Sequence, residues 1–151
     1  MYGKVLVPLD GSTESEMVLN SIEDLVDPEG EVVLLKVIPP MQGQTIGQVT
    51  VTASQREEAE ETNARAYLRG VVRNVGKEEA NWRCEAVVSR SVAEGITGFA
   101  TRENVDLIAM YTHDRKGLAR LIKGSIASQV QRQSPIEVRV FRPRELVEAS
   151  T

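Results

Sequence analysis

Two short stretches concentrate the residue types from which a binding site could be built. The first, Val7-Pro8-Leu9-Asp10-Gly11-Ser12, ends an apolar run on a carboxylate, a glycine and a hydroxyl. The second runs Met110-Tyr111-Thr112-His113-Asp114-Arg115-Lys116-Gly117-Leu118 and continues to Gly124-Ser125-Ile126. A Gly-Ser pair that opens a helix offers N–H donors, a hydroxyl and the positive end of the helix dipole, which together suit an anion. An ordinary Ser N-cap accounts for the same pair. Asp10 is open to two readings as well: an Asx-type turn after a strand, or a carboxylate facing a ligand.

Other chemistries find no support. His113 is the single histidine and Cys84 the single cysteine, so no zinc set can be assembled. No carboxylate partner for His113 is specified, and a Ser-His-Asp order is missing, so no catalytic residue is assigned. Neither a Walker A sequence nor a G-x-G-x-x-G fingerprint occurs. Cys84 reads as a small apolar filler of a strand.

These residues need elements to hold them. Val5-Leu6-Val7 and Val32-Val33-Leu34-Leu35 are short apolar runs, each followed by proline, and predict strands buried on both faces. Between them Thr13 and Glu16 have capping-box spacing, and Val18, Ile22 and Leu25 predict a helix that Asp27-Pro28-Glu29-Gly30 stops. Residues 39–53 predict a long surface loop with a brief extended stretch around Val49–Val51. From Ser54 to about Val75 a solvated helix is expected, with Ala59, Ala66, Tyr67 and Val71 as its apolar stripe and Glu57, Glu58, Glu60 and Glu61 on an exposed face. Trp82–Val88 predicts a third strand, Ser91 and Glu94 a helix start ahead of Val92, Ile96, Phe99 and Ala100, and Asp106–Tyr111 a fourth strand. A helix carrying Ile126, Ala127 and Val130 ends before Pro135. The alternation of Ile136 to Phe141 predicts an edge strand, a natural place for dimer pairing.

Strands alternating with helices in this way predict an α/β fold, a doubly wound open sheet of five parallel strands in the order 3-2-1-4-5. Ligands of such sheets sit beyond the carboxyl ends of the strands, where the order reverses. Both chemistry-bearing stretches would face that one crevice.

The same two stretches resemble the universal stress protein family. Its first strand typically ends in a V-P-x-D-G-S-like run, and its fourth feeds the pattern G-x2-G-x9-G-[S/T]. Residues 3–142 can be laid on that pattern. The resemblance implies a dimeric, non-enzymatic module of the stress response, with ATP or another adenine nucleotide as ligand and Mg²⁺ as a candidate bridge. It implies that Asp10 contacts the nucleoside, backbone at Val37 meets the base, and the segment from Tyr111 to Ser125 holds phosphates. Pro8, Leu9, Met110 and Ile126 flank these positions. Tyr111 and Asp114 stand where the pattern has its first two glycines, so the phosphate loop is expected to be degraded; Gly124 and Ser125 match. A nucleotide-independent dimeric interaction protein is the alternative.

Lys plus Arg total 18 against Asp plus Glu 22, a formal charge of −4, which leaves no electrostatic footprint for nucleic acid or an anionic membrane. The 151 residues suit one domain, expected over 1–144 with a tail at 145–151. No apolar run reaches the roughly 20 residues of a membrane span. With one cysteine and a start that leads straight into a strand pattern, a cytoplasmic protein is expected.

Overall fold

The computed structural model describes residues 1–76, 81–112 and 125–142. The expectations placed on His113, Asp114, Gly124 and the tail at 145–151 lie outside those residues. Five parallel strands form the main sheet: β1 (Tyr2–Pro8), β2 (Val26–Ile38), β5 (Trp82–Val88), β6 (Leu107–Tyr111) and β7 (Glu137–Phe141). Their spatial order is β5-β2-β1-β6-β7, the 3-2-1-4-5 winding expected of the doubly wound class. The order reverses at β1, which pairs with β2 on one side and β6 on the other.

Each face of the sheet has its own apolar layer. Alternate residues of the strands (Val5, Val7, Leu34, Leu107, Ala109) pack with Val18, Leu19 and Ile22 and with Leu68, Val71 and Val72 of α2 (Ala53–Asn74). The intervening residues (Leu6, Val33, Leu35, Ile108, Met110) meet Ile96 and Phe99 of α3 (Val92–Arg102) and Ala127 and Val130 of α4 (Ile126–Gln133). Strands covered on both faces must be apolar at every position, which is why their sequences read as runs instead of alternations.

The first crossover departs from the expected helix. Helix α1 covers only Thr13–Glu16, with Ser12 and not Thr13 as its N-cap: the Ser12 hydroxyl accepts the Ser15 N–H. The chain then winds more tightly, in 3-10 turns over Met17–Asn20 and Glu23–Leu25. A three-residue pitch stacks Leu19, Ile22 and Leu25 on one side, and all three serve the first apolar layer. Val26 already pairs with Tyr2, and Asp27–Gly30 is an excursion before Glu31 pairs with Lys4.

Helix α2 also begins earlier than expected. Thr52 caps it through a reciprocal box with Gln55. Its buried stripe is Ala64, Leu68, Val71 and Val72, whereas Ala59 and Ala66 are exposed. An alanine carries little hydrophobic surface, so the helix turns its larger side chains inward. Glu57 does more than solvate the helix, since it accepts the Met41 N–H at 3.1 Å. The loop before it holds an antiparallel hairpin, β3 (Gln44–Ile46) and β4 (Val49–Val51). No helix among the described residues is long and apolar enough to cross a membrane.

Candidate functional site

At the carboxyl ends of the strands, around the reversal at β1, lies a crevice of about 580 Å³. That size falls within the range of small-molecule sites. The tip of β1 contributes Pro8, Leu9 and Asp10, and the tip of β2 contributes Leu35, Lys36 and Val37. Met110, Tyr111 and Thr112 come from the end of β6, Val92 and Ile96 from the first turns of α3, and Ser125, Ile126 and Ala127 from the start of α4. Eight of the ten residues expected from sequence therefore line one cavity; the other two, Asp114 and Gly124, belong to the stretch outside the described residues.

Local chemistry explains how the strand tips are held. The Leu9 N–H donates to Leu35 O at 2.9 Å, so the ladder between β1 and β2 extends into the rim. Thr112 N–H donates to Phe141 O at 3.0 Å and fixes the end of β6 in the same way. Asp10 Oδ1 accepts the Ser12 N–H at 2.9 Å, the Asx turn that the sequence left open. Gly11, inside that turn, has φ of +92°, a region that side chains oppose.

Helix α4 begins at the same crevice. Ser125 is its N-cap, the hydroxyl accepting the Ser128 N–H at 3.1 Å. The hydroxyl accepts in capping and keeps its O–H, so the helix start offers an anion that donor together with the remaining first-turn N–H groups and the dipole.

Tyr111 is only 8 % exposed and packs in the first apolar layer, with Phe141 against the same layer. Its neighbour Met110 belongs to the second layer. At the end of β6 the crevice wall is therefore a packed aromatic residue next to a thioether.

A small polar cluster sits under the β1 tip. The Tyr67 hydroxyl of α2 donates to Glu16 Oε2 at 2.8 Å. Burial, the bond to Glu16, and the charges of Glu16 and Asp10 all raise the pKa of Tyr67, so it stays protonated. Lys36 Nζ lies 5.9 Å from the centre of the Tyr67 ring.

Lys36, Leu35, Val92, Ile96 and Ala127 were not expected at the site, whereas Thr112 falls in the expected segment from Tyr111 to Ser125. Lys36 had a signal, because it is the one charge inside the run Val32-Val33-Leu34-Leu35-Lys36-Val37-Ile38. Val92 was expected in the helix stripe, yet it is 39 % exposed and faces the crevice. Periodicity alone cannot tell a core position from a pocket wall.

The comparisons with known proteins agree with this architecture. Universal stress protein Sll1388 of Synechocystis sp. is 28% identical over 140 residues, covering 85% of this chain and 90% of that protein. A universal stress protein solved in complex with cAMP superposes with a TM-score of 0.66 at 15% identity, over 93% of this chain and 97% of that one. The universal stress protein from Archaeoglobus fulgidus in complex with dAMP gives a TM-score of 0.57 at 18% identity, over 92% and 97%. Likeness at these identities speaks for the fold. The model of the universal stress protein family matches residues 1–142, and the chain belongs to that family.

Proposed function

We propose that the crevice is an adenine-nucleotide site and that the protein works in the stress response as a dimeric binding module without catalytic residues of its own. The observation that carries this reading is the convergence of the Asp10 turn, the apolar tips of β2 and β6 and the first turn of α4 on one cavity of about 580 Å³. Apolar walls suit a flat base, and a carboxylate together with helix N–H groups on the same cavity suits a ribose followed by a phosphate. The complexes of two related structures with cAMP and dAMP support the same ligand class.

In this reading Asp10 accepts from the ribose hydroxyls, and the backbone at Val37 meets the base edge. Pro8, Leu9, Met110 and Ile126 form walls, and Ser125 and Ile126 present N–H groups to a phosphate. Tyr111 narrows the phosphate end, which favours short phosphate chains over ATP. Among the described residues no group of three or more His, Cys, Asp or Glu could hold a metal, so a Mg²⁺ would arrive with its nucleotide. The dimer forms through the β7 edge, and the Cys-poor chain acts in the cytoplasm.

Calorimetric titration with AMP, ADP and ATP, with and without Mg²⁺, tests the proposal. Saturable heat with AMP binding at least as tightly as ATP is expected. The absence of heat and of any thermal stabilisation at millimolar ligand would refute it. That outcome would leave the second reading, a nucleotide-independent interaction protein, which the packed Tyr111 at the crevice end favours.

A further inference from the structure

Lys36 is the one Lys or Arg among the described residues that line the crevice. It leaves β2 on the Leu34 side of the sheet, where Tyr67 packs. The ring of Tyr67 lies beneath its ammonium, 5.9 Å away, and is itself held by the bond to Glu16. On the other side, Nζ is 3.9 Å from the point where a Gly11 side chain would begin. The ammonium is thus stationed beside the Asp10 turn. The ion pairs among the described residues do not include Lys36.

Parallel sheets read a ribose in two ways: a carboxylate accepts from its free hydroxyls, or a nearby cation accommodates a phosphate esterified there. Here both groups stand at adjacent strand tips. Asp10 has committed one oxygen to the Ser12 N–H, and Lys36 supplies the positive charge that an added phosphate beside Asp10 requires. Resting on the nucleotide reading above, we infer that the crevice selects an adenine nucleotide with a second phosphate, on the 2′ or 3′ oxygen of the ribose, and that Lys36 receives it. The 5′-phosphate then faces the start of α4, so each anion has its own positive partner.

The test is calorimetry at one fixed salt concentration with AMP, adenosine 2′,5′-bisphosphate and adenosine 3′,5′-bisphosphate. Wild-type protein is expected to bind at least one bisphosphate about tenfold more tightly than AMP, the worth of one charge-assisted contact. In Lys36→Met the ratio of bisphosphate to AMP affinity falls to about one, and Lys36→Arg keeps it high. A wild type that binds AMP as tightly as both bisphosphates overturns the inference and leaves the nucleotide site standing. So does a Lys36→Met variant with the ratio intact. A wild type that binds none of the three ligands removes the nucleotide reading and this inference together.

Discussion

Two glycines three residues apart on α3 provide a test of how the crevice wall is packed. A β-carbon at Gly95 would lie 2.9 Å and 3.2 Å from the two γ-carbons of Val37 and 3.0 Å from Ser89 Cβ. At Gly98 it would meet only Arg102 Nη1, at 3.4 Å. Either change to alanine gains about 0.5–1 kcal/mol of helix propensity. At position 95 this is opposed by overpacking, which costs about 1–3 kcal/mol. The upper half of that range applies, because Val37 is β-branched and stiff and the Ser89 β-carbon is fixed to its backbone. Gly95→Ala should therefore be destabilised by about 1–2 kcal/mol, and Gly98→Ala stabilised by about 0.5–1 kcal/mol. For a chain of this size the melting temperature should fall by about 2–8 °C in the first variant and rise by about 1–4 °C in the second. Calorimetric melting measures both. A Gly95→Ala protein as stable as Gly98→Ala would refute the close approach of α3 to β2, and with it the position of the wall formed by Val37, Val92 and Ile96.

Two further outcomes are expected elsewhere in the fold. The Glu103 carboxyl is held below its ordinary value of 4.5 chiefly by the Lys4 ammonium, which donates to it at 3.2 Å, with Arg83 at 3.6 Å adding to the effect. A depressed folded-state pKa stabilises above the unfolded value and loses that contribution as pH falls through the folded one. Urea unfolding below about pH 4.5 should thus weaken more steeply with acid in wild type than in Glu103→Gln; parallel curves would remove the assignment. At the β7 edge, Ile136, Val138 and Val140 remain half-buried while packing on the second apolar layer, as a strand awaiting a partner would. Light scattering at micromolar concentration should give a dimer that Val138→Lys converts to a monomer, with circular dichroism reporting that the variant is folded; a monomeric wild type would overturn it.

The strands were the most legible part of the sequence. Burial on both faces forces runs such as Val5-Leu6-Val7 and Val32-Val33-Leu34-Leu35, and the order of strands and helices leaves few ways to wind them. The first crossover was less legible. Val18, Ile22 and Leu25 satisfy a helical period while Leu19, Ile22 and Leu25 satisfy a three-residue pitch, and only packing on the sheet decides between them. On α2 the alanines gave a false stripe, since a residue with one methyl group suits either face. At the site, Asp10 and Ser125 stood out in the sequence. Val92 did not, because it becomes a wall only through where the neighbouring strand ends, while Lys36 showed only as the one charge in its apolar run.

Tyr111 shows how a single strand tip can redirect a shared fold. Side chains on β6 alternate, so Met110 enters one apolar layer and Tyr111 the other. A glycine at position 111 would leave backbone open to an incoming phosphate; the tyrosine spends the same space on packing and is 8 % exposed. Under the proposed nucleotide reading, the anions are left to the other groups of the crevice: the first turn of α4 and Lys36 beside Gly11. A ligand with its charges spread across the ribose fits that arrangement better than one with three phosphates in line, because each anion then meets its own positive partner instead of crowding toward a wall filled by side chain.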